Sequence, residues 1–135
     1  MAEPSYVQLE LDDKDKESLQ ELQQSVSQAE KELSIVASRL RQREIEGKRA
    51  ALTQIELDSV PDDANAYVQV GKMFLYQPLP EIKAKLATTV DEVTKECEVM
   101  KEKHAHVKEA HQKCQLEFNE FVKAHLAPES TTSAK

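Results

Sequence analysis

Four histidines and two cysteines in this sequence invite a metal-site reading. His104, His111 and His125 recur at multiples of seven along one predicted helix, with His106 beside the first. Two helical turns separate His104 from His111, ~10 Å, too far to share one ion. His111 and Cys114, at i and i+3, could offer two ligands, but nothing nearby completes four, and no His-Glu-x-x-His pair occurs. Polar positions that loosen a helical seam or fix its register account for the same spacing. Cys97 and Cys114 would lie about 25 Å apart on that helix, so they cannot bridge, and free thiols fit a reducing compartment. The only glycines, Gly47 and Gly71, make no phosphate loop, and no nucleophile, base and orienting group can be assembled. These residues point to no catalysis, no cofactor and no metal, which leaves the chemistry of surfaces.

Net charge is -7, with 32% charged and 4% aromatic residues, a composition that suits long helices better than a compact globule. The densest basic run, Arg39 to Arg49, is broken by Glu44 and Glu46, so the balance argues against nucleic acid. No apolar run approaches the ~18–20 residues that span a bilayer. The first residues show no basic, apolar signal region. A cytosolic location is the expectation, with a nuclear role left open.

The prolines (Pro4, Pro61, Pro78, Pro80 and Pro128) leave two free stretches, 5–60 and 81–127. Proline is expelled from helix interiors, so these predict two long helices around a short middle segment. Helix 1 is expected from Asp12 or Asp13, whose carboxylates can accept first-turn N–H groups, to a stop before Pro61. Its apolar positions Leu19, Leu22, Val26, Ala29, Leu33, Val36 and Leu40 step by three and four, a heptad seam. The seam degrades at Arg43 and Gly47, then resumes loosely with Ala50, Leu52, Ile55 and Leu57. Helix 2 is expected from Pro80 or Glu81. Its seam runs Val90, Val93, Cys97, Met100, His104, Val107, His111, Cys114, Phe118, Phe121 and His125. Two such helices should pair antiparallel, with facing residue numbers summing to about 138.

Between them, Tyr67, Val68, Val70, Met73, Phe74, Leu75 and Tyr76 favour strand. Gly71 and Lys72 can form a two-residue turn that pairs Val70 with Met73 and Val68 with Leu75. Both hairpin faces are rich in apolar groups, and an isolated hairpin is marginal in water, so the segment asks for partners. Folding back onto its own helices is the alternative. The expected divisions are a tail 1–11, helix 12–60, assembly segment 61–79, helix 80–126 and tail 127–135. Near the free helix ends, Leu9, Leu11, Leu19, Leu22, Phe118, Phe121, Val122 and Leu126 form an apolar group. Closure of the helix pair and contact with a bound protein both remain open for it.

The run Tyr67, Val68, Gln69, Val70, Gly71, Lys72, Met73, Phe74 and Leu75 resembles the hairpin signature of β-type prefoldin subunits. That signature is a Tyr, then Val-Gly-Arg/Lys-Met-Phe and an aliphatic residue. Gln77 and Ile82 fit the subunit-1 branch. The resemblance spans the helix–hairpin–helix, but only this segment is specific. Pro78 and Pro80 at the start of helix 2, and a longer N-terminal tail, depart from it. It implies a mainly α fold: a long antiparallel two-helix coiled coil whose single hairpin joins a β-barrel with other subunits. It also implies a heterohexamer in which the partners are two α-type and three further β-type subunits. The implied work is ATP-independent capture of unfolded actin and tubulin and their delivery to the cytosolic chaperonin. The apolar end group would then be the client-binding tip. A scaffolding or tethering coiled coil is the rival, and a nucleic-acid-binding helical arm a second.

Overall fold

The computed structural model describes residues 9–126. The proposed tail 127–135 and most of the N-terminal one lie outside them. The order is α1 (Asp13–Asp58), β1 (Ala66–Val70), β2 (Met73–Gln77) and α2 (Leu79–Ala124). Asp12 caps α1: its carbonyl accepts the N–H of Lys16 at 2.9 Å, and its own N–H donates to Asp15 Oδ2 at 3.4 Å. The second bond satisfies one donor that a bare helix start leaves open. At the other end Val60 N–H donates to Leu57 O at 3.1 Å, and Pro61 forbids a further turn. α2 begins at Leu79, earlier than the expected Pro80 or Glu81. Pro78 O accepts the N–H groups of Glu81 and Ile82, and Pro80 falls in the first turn, where a missing N–H costs little.

The contacts divide into two units. One holds Val36–Lys103. The other holds residues up to Ile35 with those from His104 onward.

In the unit Val36–Lys103, Val36 and Ala50 of α1 and Leu79, Val93 and Cys97 of α2 are buried, and Leu79, at 1% exposure, is the most enclosed. The expected fault at Arg43 and Gly47 is absent. Among the half-buried and buried positions, Val36, Leu40, Arg43, Gly47, Ala50, Gln54 and Leu57 still step by three and four. Arg43 keeps its place by carrying its guanidinium to Glu96 of α2 (3.1 Å) and to Glu46 (2.9 Å). Gly47 keeps its place by being small, since a Cβ there would stand 3.0 Å from Val93 Cγ1. Leu52 and Ile55, assigned to the seam from sequence, point away from it at 62% and 67% exposure. Gly47→Val should therefore destabilise the chain by about 1–3 kcal/mol, because a branched side chain must displace Val93. Thermal unfolding followed by circular dichroism reads this, and an unchanged melting temperature would show that the helices part freely.

The two strands pair antiparallel with Val70 opposite Met73 and Val68 opposite Leu75, the register the turn residues imply. Gly71 has φ 63° and no other residue type takes a positive φ among the described residues. Positive φ at the first turn position alone matches a type II′ turn, whose twist suits a hairpin.

In the other unit no described residue is fully buried. Leu19, Leu22, Val26, Ala29 and Leu33 on α1, and His104, Val107, His111, Cys114, Phe118 and Phe121 on α2, are all half-buried. In this unit two helices without a third layer leave every described seam side chain partly wet. Across both units the pairs Gly47 with Val93, Arg43 with Glu96, and Asp15 with His125 have residue numbers summing to 139 or 140, close to the expected value.

Candidate functional site

Two apolar surfaces carry the residues singled out from sequence. The first is the hairpin. Tyr67, Val70, Met73, Phe74, Leu75 and Tyr76 are each at least half exposed, Phe74 most of all at 67%, and Val68 is half-buried. Alternation sends Tyr67, Gln69, Phe74 and Tyr76 to one side, where the Tyr67 and Tyr76 rings meet edge-on with centroids 6.0 Å apart. On the other side Val68, Val70 and Leu75 share a hollow of ≈ 290 Å³ with Ile82 and Leu86 from the first turns of α2. The hairpin thus leans toward its own helix on one face without being covered by it. Gln77 also lines the hollow, and its Oε1 is buried with no hydrogen-bond partner among the described residues. A buried, unpaired acceptor costs free energy. Nothing in the period-two pattern of the strand announced it.

The second surface is the free end of the helix pair. Leu9 and Leu126 form an isolated antiparallel bridge, and Glu10 N–H donates to His125 O at 3.1 Å. Leu9 and Glu10, assigned to a tail from sequence, are held by these bonds. His125 organises the end. Its ring stacks on Phe121 with centroids 4.2 Å apart, its Nδ1 donates to Phe121 O at 2.8 Å, and its Nε2 stands 3.4 Å from Asp15 Oδ1. Leu11, Leu19, Leu22, Phe118, Phe121 and Val122 are half-buried, and Leu126 is exposed at the rim. Phe118 borders a shallow hollow with Gln23 and Val26. The structure brings this group to one end but leaves its members only partly sheltered. Leu116, exposed and flanked by Gln112, Gln115 and Asn119, adds an apolar residue that the sequence reading passed over. Its position between Cys114 and Phe118, off the three-and-four steps, is the signal that marks it as outward.

Among the described residues no three His, Cys, Asp or Glu side chains are placed to hold a metal ion. No helix among the described residues is long and apolar enough to cross a membrane. A hollow of ≈ 590 Å³ is a trough along α1 lined by Gln20, Gln23, Gln24, Ser27, Gln28 and Lys31. Residues of one helix cannot converge on a substrate, so that trough offers no reaction site.

Comparison with known proteins gives concordant results. The family model described as prefoldin subunit matches residues 20–124. A curated relative from Dictyostelium discoideum, a probable prefoldin subunit 1, is 29% identical over 76 residues. That alignment takes in 56% of this chain and 66% of the relative, just under two thirds of its length. The crystal structure of the prefoldin beta subunit from Thermococcus strain KS-1 matches with a TM-score of 0.66, over 78% of this chain and 92% of that one. Identity there is 16%, so this likeness speaks for the fold alone.

Proposed function

The chain belongs to the prefoldin subunit family, and from that premise we propose that it is one β-type subunit of a heterohexameric, ATP-independent co-chaperone. The complex binds non-native proteins, actin and tubulin among them, and delivers them to the cytosolic chaperonin. The family's role is that of a chaperone subunit and not of an enzyme. The single observation that carries the reading is the hairpin: two strands, both faces apolar and exposed, and no third strand among the described residues. Such an element is marginal alone and gains most from strands supplied by other subunits. Tyr67, Val68, Val70, Gly71, Met73, Phe74, Leu75 and Tyr76 are the assembly residues on this reading. The partners are two α-type and three further β-type subunits. The work is placed in the cytoplasm.

The free end is the client-binding tip in this proposal, with Leu9, Leu11, Leu19, Leu22, Phe118, Phe121, Val122 and Leu126 as its contacts. Half-buried seam residues hold the helices together as well, so Val122 and Leu126 discriminate best. Each could bury area worth roughly 1–2 kcal/mol against an unfolded segment, and several tips acting together multiply weak contacts. Val122→Ser combined with Leu126→Ser should leave assembly and melting nearly intact and lower retention of unfolded actin several-fold. Glu102→Gln with Glu109→Gln, on exposed positions of α2, should change neither. Full retention by the tip variant would move client binding elsewhere. The mass of the native complex separates this reading from a tethering coiled coil: a hexamer with different companions supports it, a homodimer opposes it.

A further inference from the structure

We infer that the outer face of α1 between Arg41 and Ile55 is a docking strip for an acidic amphipathic helix of a protein outside the subunit complex. Removing Leu52 and Ile55 from the seam shows where they belong. Arg41, Ile45, Lys48, Leu52 and Ile55 step by four, three, four and three along α1, a second heptad line beside the one that faces α2. Ile45, Leu52 and Ile55 are 53%, 62% and 67% exposed, so large aliphatic groups stand in a row against water. Arg41, Lys48 and the adjoining Arg49 are exposed and make no ion pair among the described residues, whereas Arg43 and Glu44 of the same stretch are engaged with Glu96 and Lys101. Unpaired cations beside an apolar row are out of character for a chain of net charge -7.

The spacing selects the occupant. A three-and-four repeat is the pattern that a second helix reads, with knobs at each step, and the strip is about 21 Å long, four turns of such a helix. Its partner needs aliphatic side chains at matching steps and Asp or Glu opposite Arg41 and Lys48. An anionic bilayer fits less well: interfacial helices bury aromatic anchors, the strip has none, and Glu56 lies on its border. A nucleic-acid backbone would use the cations and leave the aliphatic row uncovered. The proposed union with sister subunits runs through β1 and β2, and none of the strip's residues belongs to either strand.

The test uses the assembled complex and a labelled synthetic helical peptide carrying Leu at three-and-four spacing and Glu opposite Arg41 and Lys48. Fluorescence anisotropy should show saturable binding. Leu52→Asp should weaken it by about tenfold or more, since the strip's centre would then bury a charge. Arg41→Glu with Lys48→Glu should weaken it similarly, and a peptide with Lys in place of Glu should restore binding to that variant. These side chains are exposed, so helix content and assembly should be unchanged in every variant. Equal binding of a peptide with scrambled Leu positions would overturn the inference, as would failure of the charge swap to rescue. Competition by RNA or by phosphatidylserine vesicles at equal charge would overturn it in favour of those ligands. Binding to the isolated chain but not to the complex would also overturn it, because a sister subunit would then already cover the strip.

Discussion

Phe74→Asp should abolish incorporation of the chain into the proposed complex while leaving the helices folded, and Val70→Asp should do the same. Both positions are at least half exposed, so a carboxylate there costs the chain itself little. Covered by strands of other subunits, the same carboxylate would be stripped of water without a partner, at a cost of several kcal/mol. The two residues lie on opposite faces of the hairpin, so a shared result would mean that both faces are covered. The strands are short beside α1 and α2, and far-UV circular dichroism should keep most of its helical signal. Co-purification with the other subunits is the decisive measurement. Normal yield of complex with either variant would remove the hairpin from the assembly surface.

Leu79→Ala should cost about 2–4 kcal/mol of stability, the largest loss expected from any single apolar truncation here. Leu79 is 1% exposed, whereas Leu52 and Ile55 are mostly exposed and their replacement by Ala should be nearly neutral. A buried methyl cluster removed at the junction of β2 and α2 leaves a void that the neighbouring prolines, Pro78 and Pro80, cannot close by shifting backbone. Urea unfolding of wild type, Leu79→Ala and Leu52→Ala would check the contrast. A midpoint for Leu79→Ala close to that of Leu52→Ala would mean that the site collapses around the smaller side chain.

Much of this was legible because proline and periodicity are strong signals. Pro61, Pro78 and Pro80 bracket the hairpin, and Gly71 fixes its register down to the pairing of Val70 with Met73. On α1 the seam was legible only where its members are apolar. Arg43 and Gly47 looked like interruptions because hydropathy measures neither an arginine stem packed under its charge nor the closeness that a missing Cβ permits. Leu52 and Ile55 were drawn into the seam for the converse reason: they are apolar, but they belong to another line on the helix. Leu79 was hidden between two prolines in what looked like linker. The pairing of Leu9 with Leu126 had no periodic signature, since a single bridge has no repeat. The family signature pointed to the hairpin as a surface, while the unpaired Gln77 acceptor emerges only from the fold.

The unequal burial of the two units has a thermodynamic consequence. Where Val36, Ala50, Val93 and Cys97 are shielded and Gly47 draws the helices together, breaking a helical hydrogen bond also exposes packed apolar surface. In the stretches Asp13–Ile35 and His104–Ala124 the seam is already half wet, so opening a turn forfeits far less. Amide protons there belong to the low end of the opening free-energy scale, and exchange with solvent through local fraying without global unfolding. Under the client-binding role proposed for this end, that low cost lets Phe118, Phe121 and Val122 leave their neighbours for a client and return when it departs.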